Sequence, residues 1–135
     1  MKPIHQIMLM SLMLIGISCK DDANDYPEGE VFVQSVQVPD TVSIQESFEI
    51  EIELVLPDPC WSYSRLEKQE NGTITSFQVF AKNTAGGDIA CPTRPVTEKV
   101  KEQITLTYSG SNDLIFNGFV NAHNALLTKT IFVTN

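Results

Sequence analysis

The stretch Phe48-Glu49-Ile50-Glu51-Ile52-Glu53-Leu54-Val55-Leu56 decides the fold. Apolar side chains occupy every even position, and glutamates fall between the first four of them. A period of two sends successive side chains to opposite faces of a strand, so one face is buried and the other is wet. Glu49, Glu51 and Glu53 form a tempting acid cluster, but no other ligand type lies near them. They read as a solvated strand face whose like charges discourage edge-to-edge aggregation.

Outward from this strand the chain alternates strands and turns, with no convincing helix. Val31 to Val38 is rich in β-branched residues and stops at the turn pair Pro39-Asp40. Pro57-Asp58-Pro59 closes the central strand, and Cys60 opens the next, with Trp61 and Tyr63 on one face. Glu70-Asn71-Gly72 is a hairpin signal, after which Phe77, Val79 and Ala81 share a face. A turn centred on Asn71-Gly72 sets Cys60 opposite Asn83, and Gly86-Gly87 lets the following loop, as far as Arg94, fold back. Val96, Val100, Ile104, Leu106 and Tyr108 share parity, while Glu98 and Glu102 interrupt the pattern, so a strand is expected from about Val100. Ser109-Gly110-Ser111-Asn112 is a turn; Leu114 to Val120 and Leu126 to Val133 form a terminal hairpin, with Gly118 marking a bulge.

About seven short strands over residues 31–135 predict an all-β domain, an antiparallel sandwich that resembles the immunoglobulin-like superfold. A closed barrel is the alternative. Trp61 directly follows Cys60, and Ile89 stands two residues before Cys91, where an immunoglobulin domain has tyrosine. A Cys60–Cys91 bridge is therefore expected to pin a loop to a strand end and not to cross the core.

The first residues carry a different signal. Lys2 is followed by a nearly unbroken apolar run from Ile7 to Ile17, and Gly16-Ile17-Ser18 lead to Cys19. A positive start, a short apolar run and small residues make a secretory leader, too short to span a bilayer. Ending on cysteine, it resembles a bacterial lipoprotein signal, although Gly16 stands where leucine is usual. The resemblance implies cleavage after Ser18 and lipidation of Cys19. Lys20-Asp21-Asp22 resembles the short signal that carries Bacteroidetes lipoproteins to the outer face of the outer membrane. Residues 1–18 are thus the leader, and residues 19–30, polar and acidic with Pro27 and Gly29, are a lipidated flexible tether.

With Cys19 assigned to lipid, Cys60 and Cys91 remain as an even pair in an oxidising compartment, where a disulfide is expected. No metal site is expected, because His123 is the one histidine outside the leader. The formal charge is −8, from 9 basic and 17 acidic side chains, and it becomes more negative when Lys2 leaves with the leader. An acidic chain without a basic cluster argues against nucleic acid, whose binding needs Lys and Arg to displace counterions. Membrane attachment then falls to the acyl chains.

No enzyme motif is present. Ser62, Ser64 and His123 lack a glycine-flanked elbow, and nothing fixes a separation among Glu67, Glu70 and Asp88. No cofactor is implied. The expected function is a non-enzymatic surface module that binds a protein or a glycan, or supports an envelope complex. Trp61, Tyr63 and Arg94, near the pinned loop, are the candidate contact residues, since aromatic residues and arginine concentrate binding energy. For Trp61 the first expectation is that it packs on the Cys60–Cys91 bridge as local core. The alternative resembles the chagasin-type cysteine protease inhibitors, with Gly86-Gly87 and Arg94-Pro95 matching parts of two loop motifs; the first loop motif has no counterpart here. Finally, Asp40-Thr41-Val42 resembles the short acceptor site that Bacteroidetes use for O-glycosylation, which makes Thr41 a candidate acceptor.

Overall fold

The computed structural model describes residues 27–86, 89–120 and 123–135, without the side chains of Phe119 and Val120. The elements described are all strands: β1 (Glu28–Glu30), β2 (Phe32–Gln37), β3 (Thr41–Ser43), β4 (Phe48–Leu56), β5 (Trp61–Asn71), β6 (Ile74–Asn83), β7 (Val96–Ile104), β8 (Gly110–Val120) and β9 (His123–Thr134). The described residues are all-β, as expected, with nine strands where about seven were anticipated.

The strands form two groups. In the first, β4 lies between β2 and β7 and pairs antiparallel with both. Ile50, Ile52, Leu54 and Leu56 are buried, as the alternation requires. The glutamates between them face outward into short pairings: Glu49 with Lys101 at 2.7 Å, Glu51 with Lys99 at 3.6 Å, and Glu53 with the Ser35 hydroxyl at 3.0 Å. Such exposed pairs each contribute little to stability. They do neutralise a face that would otherwise carry a run of like charge.

The second group runs β3-β9-β8-β6-β5. Here β5–β6 and β8–β9 are antiparallel hairpins, whereas β6–β8 and β3–β9 are parallel. The parallel contact follows from the chain path. After β6 the chain crosses to the first group as β7, and a strand that returns from such a crossover arrives in its original direction. β1 pairs antiparallel with β6, β2 pairs with β4, and a single parallel bridge joins Val33 to Gly118. The β1–β2 segment thereby links the two groups. Their inward side chains, from Val31 to Val133, belong to one buried cluster, in which Phe77 and Phe116 stack at 4.7 Å.

Four local expectations shift. Asn71 pairs with Ile74, so the turn residues are Gly72 and Thr73, and Gly72 supplies the positive φ of +63°. With an irregularity between Tyr63 and Arg65, Trp61 lies opposite Asn83, and Cys60 falls one residue from its expected partner. β7 begins at Val96, because Glu98 and Glu102 sit within the strand and not in a loop. Gly118 marks no bulge, since the β8–β9 register is unbroken. A Cβ there would stand 3.0 Å from the Ala125 carbonyl oxygen and 3.3 Å from that of Val33. Glycine suits this position because two backbones close on it, and a side chain there would push them apart by a few tenths of an ångström.

Candidate functional site

β5 and β7 are neighbouring edges that share no backbone ladder. Side chains lace them instead. The Tyr63 N–H donates to Glu98 at 2.9 Å, and the Tyr63 hydroxyl donates to Glu102. Lys68 Nζ donates to the Thr105 carbonyl at 2.7 Å, and the Thr107 hydroxyl donates to Glu70 at 3.1 Å. Burial first, and then the Glu102 carboxylate, push the Tyr63 phenol well above its ordinary pKa, so it stays a neutral donor. The seam is closed by polar side chains, which also blunts both edges against intermolecular pairing.

One end of this seam carries the Cys60–Cys91 disulfide, whose Cα atoms lie 5.9 Å apart. Asp58 Oδ1 accepts the Cys60 N–H at 2.8 Å, and the Cys60 carbonyl accepts the Thr84 N–H at 2.8 Å. The bridge ties the start of β5 to the β6–β7 connection and leaves the core uncrossed. Asp58, Cys60 and Cys91 converge closely enough to hold an ion. The two sulfurs are bonded to each other, however, and neither is a thiolate ligand.

The candidate contact residues at this end do not form one surface. Trp61 is half-buried against the core, and its ring lies over Gly29 of β1. Tyr63 is engaged in the seam. Arg94 is exposed, and its N–H turns back to the Pro92 carbonyl. Gly86 and Arg94 both lie in the β6–β7 connection, while Gly87 and Asp88 lie outside the described residues. Thr41 opens β3 and is exposed; His123 opens β9 and is exposed. Cys19 and Lys20-Asp21-Asp22 lie outside the described residues.

A second surface was not singled out by the sequence. Cross-strand register aligns the outward side chains Gln69, Ser76, Ile115 and Thr128 in a row over β5, β6, β8 and β9; just past the end of the β6–β8 ladder, Glu67 pairs with Gln78 and Asn117 with Leu126. A recess of about 430 Å³ lies over these residues, lined chiefly by Gln69, Ser76, Gln78, Ile115, Asn117 and Leu126. Amides both donate and accept, and the apolar side chains supply contact area, so the chemistry suits a neutral polar ligand. Beside the recess, Arg65 stacks over Phe80 with 4.0 Å to the ring centroid and pairs with Glu28 and Glu67. The Ser64 hydroxyl and then Arg65 hold the Glu28 carboxyl below its ordinary pKa. This cluster fixes β1 across β6 to β5.

No family model, curated protein or solved structure matches this chain.

Proposed function

We propose that the chain is a lipoprotein anchored through Cys19, displayed on the outer face of the outer membrane, with a non-enzymatic β domain that binds a glycan. The leader ending at Cys19 supports the anchor, and Lys20-Asp21-Asp22 supports display. The observation that carries the binding reading is the row of amides and hydroxyls on the outer face of β5, β6 and β8, set beside exposed Leu126. Sugar hydroxyls pair with amides in both directions, and their ring faces rest on apolar side chains. The exposed hydroxyl-bearing residue Thr41 is the proposed site of O-glycosylation on the chain itself.

Every core side chain among the described residues lies between Val31 and Val133, so the segment 27–135 carries a core of its own. A glycan array probed with that segment should retain at least one glycan class, and Gln69→Ala with Gln78→Ala should abolish retention. An array with no bound glycan rejects the ligand class. Labelling with a palmitate analogue tests the anchor separately: wild type should be marked and Cys19→Ala should not.

A further inference from the structure

We propose that the free edge of β9 is a dimerisation strand, which pairs antiparallel with β9 of a second copy of this chain. Two hydrogen bonds fix how its backbone is turned. The Phe132 N–H donates to the Asp40 carbonyl at 2.9 Å, and the Thr134 carbonyl accepts the Ile44 N–H at 2.7 Å. Even-numbered residues of β9 therefore direct their backbone groups toward β3, and odd-numbered ones toward β8. The β8–β9 register is unbroken from Gly110–Val133 to Val120–His123, so this alternation holds along the whole strand. β3, however, covers only Phe132 to Thr134. Among the described residues, no strand lies beside the N–H and C=O groups of Asn124, Leu126, Thr128 and Thr130.

A long edge of this kind templates the addition of another strand unless something blunts it. The β5 and β7 edges are laced together by side chains, and β3 is three residues long. Among the described residues, the 124–130 edge has no such protection. Leu126 is 68% exposed, and Lys129, although it shares parity with the core residue Ile131, is exposed as well. In this stretch of β9 only Leu127 packs against the core.

The edge itself argues for a second copy as the occupant. Two-fold antiparallel pairing places even residues opposite one another, and the same patch serves on both copies. With Leu126 opposite Thr128 of the second copy, Leu127 faces its own counterpart. Lys129, the one charged side chain between Asn124 and Thr130, then faces Ala125 of the second copy. No like charges meet, although each whole chain carries a formal −8.

Analytical ultracentrifugation of the segment 27–135 tests this without reference to glycan or lipid. The mass should double as concentration rises. Over the same range, amide exchange at Leu126, Thr128 and Thr130 should slow at least about tenfold, with odd-numbered residues of β9 unchanged. Thr128→Pro should leave a monomer, and it spares the β8–β9 ladder because the Thr128 N–H is not used there. Leu126→Lys with Thr128→Lys should also give a monomer, since two lysine pairs would face each other, and Leu126→Glu with Thr128→Lys should restore the dimer. A monomer at every concentration, or a dimer indifferent to both blocking variants, overturns the proposal.

Discussion

The hydroxyl of Tyr63 is held by the carboxylate of Glu102 across the seam between β5 and β7. Because β5 and β7 share no ladder, this contact does what backbone hydrogen bonds do elsewhere in the fold. Tyr63→Phe keeps the ring and removes the donor, and should cost about 1 kcal/mol in urea denaturation. The pH dependence follows from the raised phenol pKa. In the unfolded chain the phenol ionises near pH 10, whereas in the folded chain it stays protonated beyond that point. The contribution is thus complete below about pH 10 and is lost as pH rises toward the folded value. The stability difference between wild type and Tyr63→Phe should shrink above about pH 10 and stay constant from neutral pH up to that point.

Removing the disulfide should destabilise without unmaking the sheet. The bridge spans 31 residues and joins a strand start to a surface connection. In the chain-entropy model a loop of that size stabilises by roughly 3–4 kcal/mol. Cys60→Ser with Cys91→Ser should lose about that much in chemical denaturation and keep the β-sheet circular dichroism of wild type. A loss of sheet signal would mean that the bridge also holds β5 in register.

Legibility in the sequence followed the range of the interaction. The β4 pattern needed no knowledge of its neighbours, because alternation alone separates Ile50, Ile52 and Leu54 from the glutamates. The hairpins were local in the same sense, and even there Gly72-Thr73, not Asn71-Gly72, formed the turn. Glu98 and Glu102 broke the expected pattern of β7 because their partner, Tyr63, comes from a strand 35 and 39 residues away. The recess over Gln69, Gln78 and Asn117 depends on the parallel β6–β8 pairing, which no turn signal encodes. Gly118 showed as an anomaly in a strand, but the close approach of Val33 that explains it is long-range.

Asn112 is a case where a turn residue proves to be core. It is 1% exposed, and its amide donates to the carbonyls of Tyr108 at 2.9 Å and Gly110 at 3.0 Å. It thus folds the entry to β8 from inside and pins Gly110 at a φ of +97°. Asn112→Asp preserves the shape and removes both donors, so two carbonyls lose their partner. The expected cost is about 2–3 kcal/mol, read as a fall in the urea midpoint at unchanged slope. A change below about half a kcal/mol would mean that the turn is held by other contacts.

Thr75 offers the opposite change, a substitution that should stabilise. It lies on β6 in the inward row with Phe77, Val79 and Ala81, and it is fully buried. Its Oγ1 has no hydrogen-bond partner among the described residues. Its cross-strand neighbours are Leu114 on β8 and Glu70 on β5; Glu70 Oε2 accepts from the Thr107 hydroxyl, and Oε1 lies 3.5 Å from Lys68 Nζ. A buried hydroxyl without a partner has lost its water and gained nothing in return. Thr75→Val replaces that hydroxyl with a methyl of similar size and keeps the β-branched shape favoured in strands. It should raise stability by about 1 kcal/mol. Thr75→Ser keeps the hydroxyl and removes the methyl, and should lower stability through the cavity it leaves. If Thr75→Val instead destabilises the protein, the hydroxyl has a partner, such as an internal water, and the inner end of the β5–β6 hairpin is wetter than its packing indicates.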